Sequence, residues 1–336
     1  MDRVIPGWVN SFHRRGDGWG CSSQSLFVLP AVDPDLSRVH LDDIVELVST
    51  ELDRATDGLV TQGRCPVLVS GGLDSSNVLA SMLRASRSAG AELPEALTLT
   101  FPGRDWDESA AVGCLVDALD INARFLAPAP ETTEAAARWI LENVDYPPWE
   151  TAHLIVLAAW EAGLSRAYLA TGFGGDEWFD FFPRNTLASP IRLWFKCRND
   201  LLAWSRRAMP RAGIKASVIP WLRPGMPVLN SAARYSTRLK NLCEAAVTHP
   251  VEKQVLNAAT APFRFVLEQA TSAMSIEMVS PLDRADLVRL AARLDPIRFS
   301  AGGHGKGLLR ELALHRISAR FAEKTKKQPL GGAASD

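Results

Sequence analysis

The chain has 336 residues, of which 47% are apolar and 22% charged, and its formal net charge is −1. This length suffices for one large domain or two joined ones, and the near-neutral charge argues against a general nucleic-acid binder. The five scattered cysteines, and the absence of a signal peptide or of any window near the ~18 apolar residues of a membrane span, predict a cytoplasmic protein.

The predicted elements begin after an irregular N-terminal arm, residues 1–38, where glycines and prolines interrupt every pattern. Apolar residues from Leu41 to Leu52 then recur with a helical period of 3.6. Short apolar segments typical of buried parallel strands follow, alternating with helical stripes. The predicted strands are 67–69, 96–101, 123–127 and 167–171, and the helical stripes are 78–83, 110–119, 133–144 and 157–164.

This alternation of strand and helix predicts an α/β fold with an open parallel sheet. From Asp176 to about residue 320 only helical patterns are predicted. We therefore expect one domain over residues 39–330, with a nucleotide-binding α/β half at 39–180 and a mainly helical, substrate-binding C-terminal half at 181–330.

A glycine-rich turn, SGGLDSS at residues 70–76, separates the first predicted strand from its helix. Backbone N–H groups at a helix N-terminus favour an anion such as phosphate, and glycines let the backbone approach it closely. A carboxylate in this place suits a Mg²⁺ ion that bridges phosphate oxygens. The spacing fits neither GxxxxGK[ST] nor GxGxxG. The candidate nucleotide-binding residues are Ser70, Gly71, Gly72, Asp74, Ser75 and Ser76.

SGGLDSS resembles the pyrophosphate loop of the asparagine-synthetase-type ATP pyrophosphatases, and the resemblance extends over about residues 40–327. Asparagine synthetase, β-lactam synthetase and the macrolactam cyclases of lasso peptides belong to this group. The resemblance implies a sheet of the adenine-nucleotide α-hydrolase (PP-loop) type, with ATP and Mg²⁺ as cofactors. It also implies that a carboxylate is adenylated, pyrophosphate leaves and an amine attacks the acyl-adenylate, so that AMP and an amide are formed.

A second glycine-rich turn, LATGFGGDEWF at 169–179, resembles the family's second signature. By that resemblance Asp176 is a second Mg²⁺ ligand facing Asp74, and Gly172, Gly174 and Gly175 line the nucleotide. Two metal-holding carboxylates would help to neutralise the charge that develops on departing pyrophosphate.

The segment TFPGRDWDES at 100–109 follows the second predicted strand. The resemblance places Phe101 at the strand end that lies against adenine and ribose. It also matches Asp107 and Glu108 to an acidic pair at the start of the next helix. Acids at a helix start are favoured by the helix dipole alone, so both readings of this pair stand.

Two further segments suggest catalytic residues. In GGHGKGLLREL at 302–312, Lys306 resembles the family lysine that reaches the acyl-adenylate, and Arg310 is a weaker candidate for a phosphate or structural contact. In MSIEMVSPLD at 274–283, Glu277 resembles a glutamate near the substrate amine and is a candidate general base or an ordinary helix glutamate. This segment is one residue shorter than the family pattern, and Val279 stands in place of its arginine.

The residues before 41 are too few for the N-terminal glutaminase domain of complete asparagine synthetases, and Asp2 stands where their cysteine would. We therefore expect intramolecular macrolactam formation on a peptide natural-product precursor. Expected partners are a peptide or small-molecule carboxylate, with leader-peptide-binding and protease proteins as further candidates and no nucleic acid. The alternatives are an ammonia-dependent amidotransferase and a catalytically degenerate peptide-binding partner protein.

Overall fold

A computed structural model describes residues 8–16, 18–25, 30–61, 65–104, 107–144, 152–179, 262–294 and 306–324. The chain divides into two compact units, and all of these residues belong to the same one. Most of the predicted helical half, residues 181–261 and 295–305, lies outside the described residues.

The N-terminal arm contains a β-hairpin, so the prediction of an irregular segment over residues 1–38 was wrong for this part. Strand β1 (Trp8–Arg15) pairs antiparallel with β2 (Gly18–Ser25), with Arg15 opposite Gly18. Gly16 begins the tight connection at a φ of 57°, in the left-handed region that such hairpins use. The polar strand sequences WVNSFHRR and GWGCSSQS show little of the alternation by which strands are predicted.

Five parallel strands form the main sheet, in the order β5-β4-β3-β6-β7, which confirms the predicted open parallel α/β fold. Val67 of β3 pairs with Ala96 of β4 on one side and with Ala170 of β6 on the other. The strands are β3 (Val67–Leu68), β4 (Ala96–Leu99), β5 (Ala123–Leu126), β6 (Tyr168–Ala170) and β7 (Glu277–Val279).

Strand β7 comes from the C-terminal part of the chain, where only helices were predicted. It pairs with β6, with Glu277 opposite Tyr168 and Val279 opposite Ala170. The prediction failed because the strand has only three residues, one of them a glutamate, and begins only four residues after the end of a helix. Backbone hydrogen bonds to a neighbouring strand, rather than local pattern, define it as a strand.

The first five of the helices around these strands follow the predicted apolar stripes, and the other five lie in the part of the chain where helical patterns in general were predicted. They are α1 (Leu41–Val60), α2 (Leu73–Ala89), α3 (Ser109–Leu119), α4 (Pro130–Asn143), α5 (Ala152–Glu161), α6 (Gly175–Trp178), α7 (Pro262–Ala273), α8 (Ala285–Arg293), α9 (Gly307–Arg316) and α10 (Ala319–Lys324). Within the part of the chain that the structure describes, no helix is both long and apolar enough to cross a membrane.

Two groups of helices build the core. One apolar cluster packs α4, α5 and α7 against strand residues such as Leu97 and Leu169, which are fully buried. A second set of contacts joins α1, α2 and α9, with Ile44, Val48 and Leu309 fully buried. The loops that follow the carboxyl ends of the strands are therefore supported by packed helices.

Candidate active site

The loop after β3 has the conformation expected of a glycine-rich anion loop. Gly71 has a φ of 70°, and a Cβ atom at this position would lie 2.7 Å from the Cβ atom of Ala111. Gly72 is the N-cap of α2 and has an extended conformation. A side chain at residue 71 would be both strained and obstructed, so the loop can pack against α3 only with glycine there.

The serines of this loop have different surroundings. The Ser75 hydroxyl accepts a hydrogen bond from the Ser70 N–H at 3.2 Å, and the two hydroxyls lie 3.4 Å apart. The Gly72 N–H in turn donates to the Ser70 hydroxyl at 3.4 Å. Ser76 is fully buried, and among the described residues its hydroxyl has no hydrogen-bond partner, so it takes no part in this network. Its predicted role at the nucleotide stays a prediction.

The second glycine-rich loop, after β6, packs directly on the first. A Cβ atom at Gly172 would overlap the backbone of Ser75, and one at Gly175 would overlap the carboxyl group of Asp74. Gly174 has a φ of 99° and approaches Asp283, and its N–H donates to the Glu177 carboxylate at 3.0 Å. The predicted glycines are thus the residues that allow the two loops to touch.

Three residues predicted from separate segments converge at this contact: Asp74, Asp176 and Lys306. The Lys306 Nζ atom forms ion pairs with Asp74 Oδ2 and, at 2.9 Å, with Asp176 Oδ1. The Lys306 side chain is only 12% exposed and that of Asp74 18%, whereas Asp176 is 47% exposed. Burial alone would lower the pKa of Lys306, but the charges and hydrogen bonds of the two aspartates outweigh it and raise that pKa.

The carboxylates of Asp74 and Asp176 fit a magnesium ion. They already flank one cation, the ammonium group of Lys306. Mg²⁺ is commonly held by one or two carboxylates together with substrate phosphates, and this pair provides such ligands. Among the described residues, no group of three or more His, Cys, Asp or Glu side chains is placed to hold a metal ion.

The acidic pair after β4 has two contrasting members. Asp107 Oδ1 accepts hydrogen bonds from the Phe101 N–H at 3.1 Å and from the Ser109 hydroxyl at 2.6 Å. Desolvation acts against the charged form, but these bonds lower the pKa of Asp107. Burial, assisted by the charge of Asp107, raises the pKa of Glu108 to about 7. Asp107 therefore shapes the loop that positions Phe101, which is half-buried.

Two predicted residues lie away from the lysine–aspartate cluster. Glu277 is exposed at the first position of β7, whereas the loops of the site follow the last residues of their strands. The structure does not bring it together with Lys306, and its role as general base stays a prediction. Arg310 donates from Nη1 to the carbonyl of Ala322, and this hydrogen bond joins α9 to α10.

Sequence reasoning missed the polar residues that fix the elements behind the site. The fully buried Asn77 of α2 donates to the carbonyl of Leu309 in α9 at 2.8 Å. The Trp178 indole donates to Asp283 Oδ1 at 2.7 Å and joins α6 to the turn after β7. Neither contact has a sequence signal, because an asparagine or aspartate in a polar turn or helix normally faces solvent.

A parallel sheet with two touching glycine-rich loops, two carboxylates and a lysine at its carboxyl edge defines an α/β nucleotide-binding enzyme of the PP-loop class. The family model for asparagine synthase matches residues 48–332, and the chain belongs to this family. Its members are ATP-dependent ligases that form amide bonds through an adenylate, generally with Mg²⁺. No curated protein matches the chain.

Proposed function

We propose that this chain adenylates a carboxylate with ATP, releases pyrophosphate and lets an amine displace AMP to form an amide. The observation that carries the proposal is the contact of Lys306 with Asp74 and Asp176 at the carboxyl edge of the sheet. Asp74 and Asp176 would hold Mg²⁺, which neutralises phosphate charge when bound. The loop at residues 70–72 presents its backbone to the phosphates, and Lys306 would stabilise the charge on the α-phosphate and on the tetrahedral intermediate.

We further propose that the acceptor amine belongs to the same peptide as the activated carboxylate, so that the product is a macrolactam. A free amino-acid substrate brings an extra ammonium and carboxylate, which a site normally meets with opposite charges. The family arginine in this region is replaced by the neutral Val279, and the hydroxyls of Thr171 and Ser280, which lie 3.1 Å apart, are two further neutral groups directly after β6 and β7. These neutral groups favour an acceptor without free amino-acid charges.

Two parallel reactions with Mg·ATP test this assignment. One contains aspartate and ammonium, and the other contains linear peptides in which the position of a single Asp or Glu is varied. We expect AMP, pyrophosphate and the loss of one water from a peptide. AMP together with asparagine would instead establish the ammonia-dependent reaction, and ADP in either reaction would contradict adenylation.

The variant Asp74→Asn tests the site within the same assay. Removing this carboxylate takes away a metal ligand and a partner of Lys306, so we expect AMP formation to fall by a factor of about 10² or more. Asp117→Asn, an exposed acid on α3, serves as the matched control and should retain activity. Normal AMP formation by Asp74→Asn would refute the assignment.

A further inference from the structure

We propose that Asn77 is the residue that positions Lys306, through a hydrogen bond between the helix of the phosphate loop and the helix that follows the lysine. Asn77 lies in the first turns of α2, three residues after Asp74. Its side-chain nitrogen donates at 2.8 Å to the carbonyl of Leu309, three residues after Lys306 in α9. The inference builds on the role of Lys306 proposed above.

The burial of Asn77 shows that the bridge has little freedom. The residue is fully buried, and the same nitrogen donates at 2.8 Å to the carbonyl of Leu73 in its own helix. Its side-chain oxygen, also buried, has no hydrogen-bond partner among the described residues. The amide is therefore held in place by its two donations, and a buried amide that lost them would have no water to replace them.

The far end of α9 has its own attachment. Arg316, whose side chain is 2% exposed, donates to Asp53 Oδ2 at 2.7 Å and also contacts Ser49 and Ser81. These contacts fix the C-terminal end of α9 on α1 and α2. Asn77 does the same at the end that carries the catalytic lysine, so the two attachments together prevent α9 from tilting.

The apolar contacts of α9 do not provide this precision by themselves. Leu308, Leu309 and Leu312 are buried, but hydrophobic contacts are non-directional and permit small shifts. A directed hydrogen bond fixes one atom of α9 relative to α2. Because Asp74 and Asn77 are on the same helix, the bond also fixes the backbone of residue 306 relative to one of its two carboxylate partners.

Two substitutions of Asn77 separate positioning from packing. Asn77→Leu keeps a similar volume and removes both donations, whereas Asn77→Ser keeps a hydroxyl that can bond only within α2. Ser86→Ala is the matched control, because Ser86 is fully buried in the same helix. The variants are compared as full-length protein by thermal melting, by the Kd for Mg·ATP and by the rate at which N-hydroxysuccinimidyl acetate acetylates Lys306.

We expect folded variants that still bind Mg·ATP, because the phosphate loop is intact, and a higher rate of Lys306 acetylation. In the AMP-forming assay, turnover should fall by about 10–100-fold, the size of loss that a displacement of ~1 Å produces. Ser86→Ala should match the wild type in Lys306 acetylation, in the Kd for Mg·ATP and in turnover. Hydrogen exchange should increase in the first turn of α9 and stay unchanged in the last turn.

Two outcomes would overturn the proposal. One is unchanged acetylation of Lys306 in both Asn77 variants, and the other is global unfolding of Asn77→Leu, which would assign the amide to general stability. If wild-type protein forms no AMP but the acetylation rate changes as expected, the proposed function fails while the positioning role of Asn77 holds.

Discussion

At the scale of single residues, the ammonium group of Lys306 lies where a metal ion is also expected. It bridges Asp74 and Asp176, the two carboxylates proposed to hold Mg²⁺. Two cations cannot share both carboxylates without mutual repulsion. Binding of Mg²⁺ therefore requires that the lysine give up at least part of its contact with the pair.

This competition predicts the behaviour of Lys306→Met, which keeps most of the side-chain volume without the charge. We expect Mg²⁺ to bind this variant on the order of tenfold more tightly, equivalent to about 1.4 kcal/mol. Without metal the variant should melt at a lower temperature, because the largely buried carboxylate of Asp74 and the more exposed one of Asp176 lose their cation. Calorimetric titration with MgCl₂ measures the affinity, and unchanged or weaker binding would contradict the prediction.

Glu108 predicts a pH dependence of stability. Its pKa in the folded protein is about 7, above its ordinary value of 4.5, so the folded state binds this proton more strongly than the unfolded state. The free energy of unfolding should therefore fall as the pH rises from about 4.5 to about 7. Glu108→Gln removes this loss and should be more stable than wild type by about 1–3 kcal/mol at pH 8.

Below pH 4.5 the two proteins should have equal stability, because Glu108 is then protonated in both states. Urea unfolding at a series of pH values measures the difference. Glu92→Gln, at an exposed position, is the control and should show no such pH-dependent gain. A difference in unfolding free energy between Glu108→Gln and wild type that stayed constant over the whole pH range would contradict the raised pKa of Glu108.

At the scale of elements, the contact between the two glycine-rich loops determines whether the site forms. Gly172→Ala places a methyl group onto the backbone of Ser75. Because a backbone atom cannot move aside as a side chain can, we expect a loss of about 1–3 kcal/mol in unfolding free energy and weaker binding of Mg·ATP.

The control for this substitution is Gly113→Ala in α3. A Cβ atom at Gly113 meets no atom within 4 Å, so alanine should stabilise the helix by about 0.5–1 kcal/mol. Thermal melting and nucleotide titration of both variants measure the contrast. Equal behaviour of the two alanine variants would show that the loops can separate without consequence.

At the scale of the whole molecule, the sheet and its site combine distant parts of the chain. The α/β half predicted at residues 39–180 supplies β3 to β6, but β7 and the Lys306 segment come from beyond residue 270. A fragment of residues 39–180 would leave β6 as an open edge and uncover the surface of α2 on which α9 packs. We expect this fragment to lack a cooperative thermal transition, and a sharp transition in calorimetry would contradict this.

The fold could be predicted where the pattern is local. Short, mainly apolar segments identified β3 to β6, and the period of Ile44, Val48 and Leu52 identified α1, because burial favours these patterns. Strand β7 and the N-terminal hairpin depend on pairing between segments, which leaves a weak trace in short or polar sequences. The elements that were not predicted are therefore those defined by pairing with another segment rather than by the pattern of their own residues.

The site could be predicted as a set of residues but only partly as an arrangement. Asp74, Asp176 and Lys306 were found in separate motifs, and the structure brings them together. Glu277 matched a motif as well, yet its strand presents it at the first position of β7. A motif specifies chemical groups, while strand register and helix packing specify their positions. A buried hydrogen bond between helices, such as that from Asn77 to Leu309, can be identified only once the positions of both helices are known.

Lys306 has a left-handed backbone, with φ at 62° and ψ at 38°. Residues with a Cβ atom are destabilised in this conformation, whereas glycine adopts it readily. Lys306→Gly would relax the backbone but would also remove the ammonium group that Asp74 and Asp176 contact. Position 306 is thus a point where the requirements of folding and of chemistry conflict, and stabilised descendants of this chain should keep the strained lysine and gain stability at other positions.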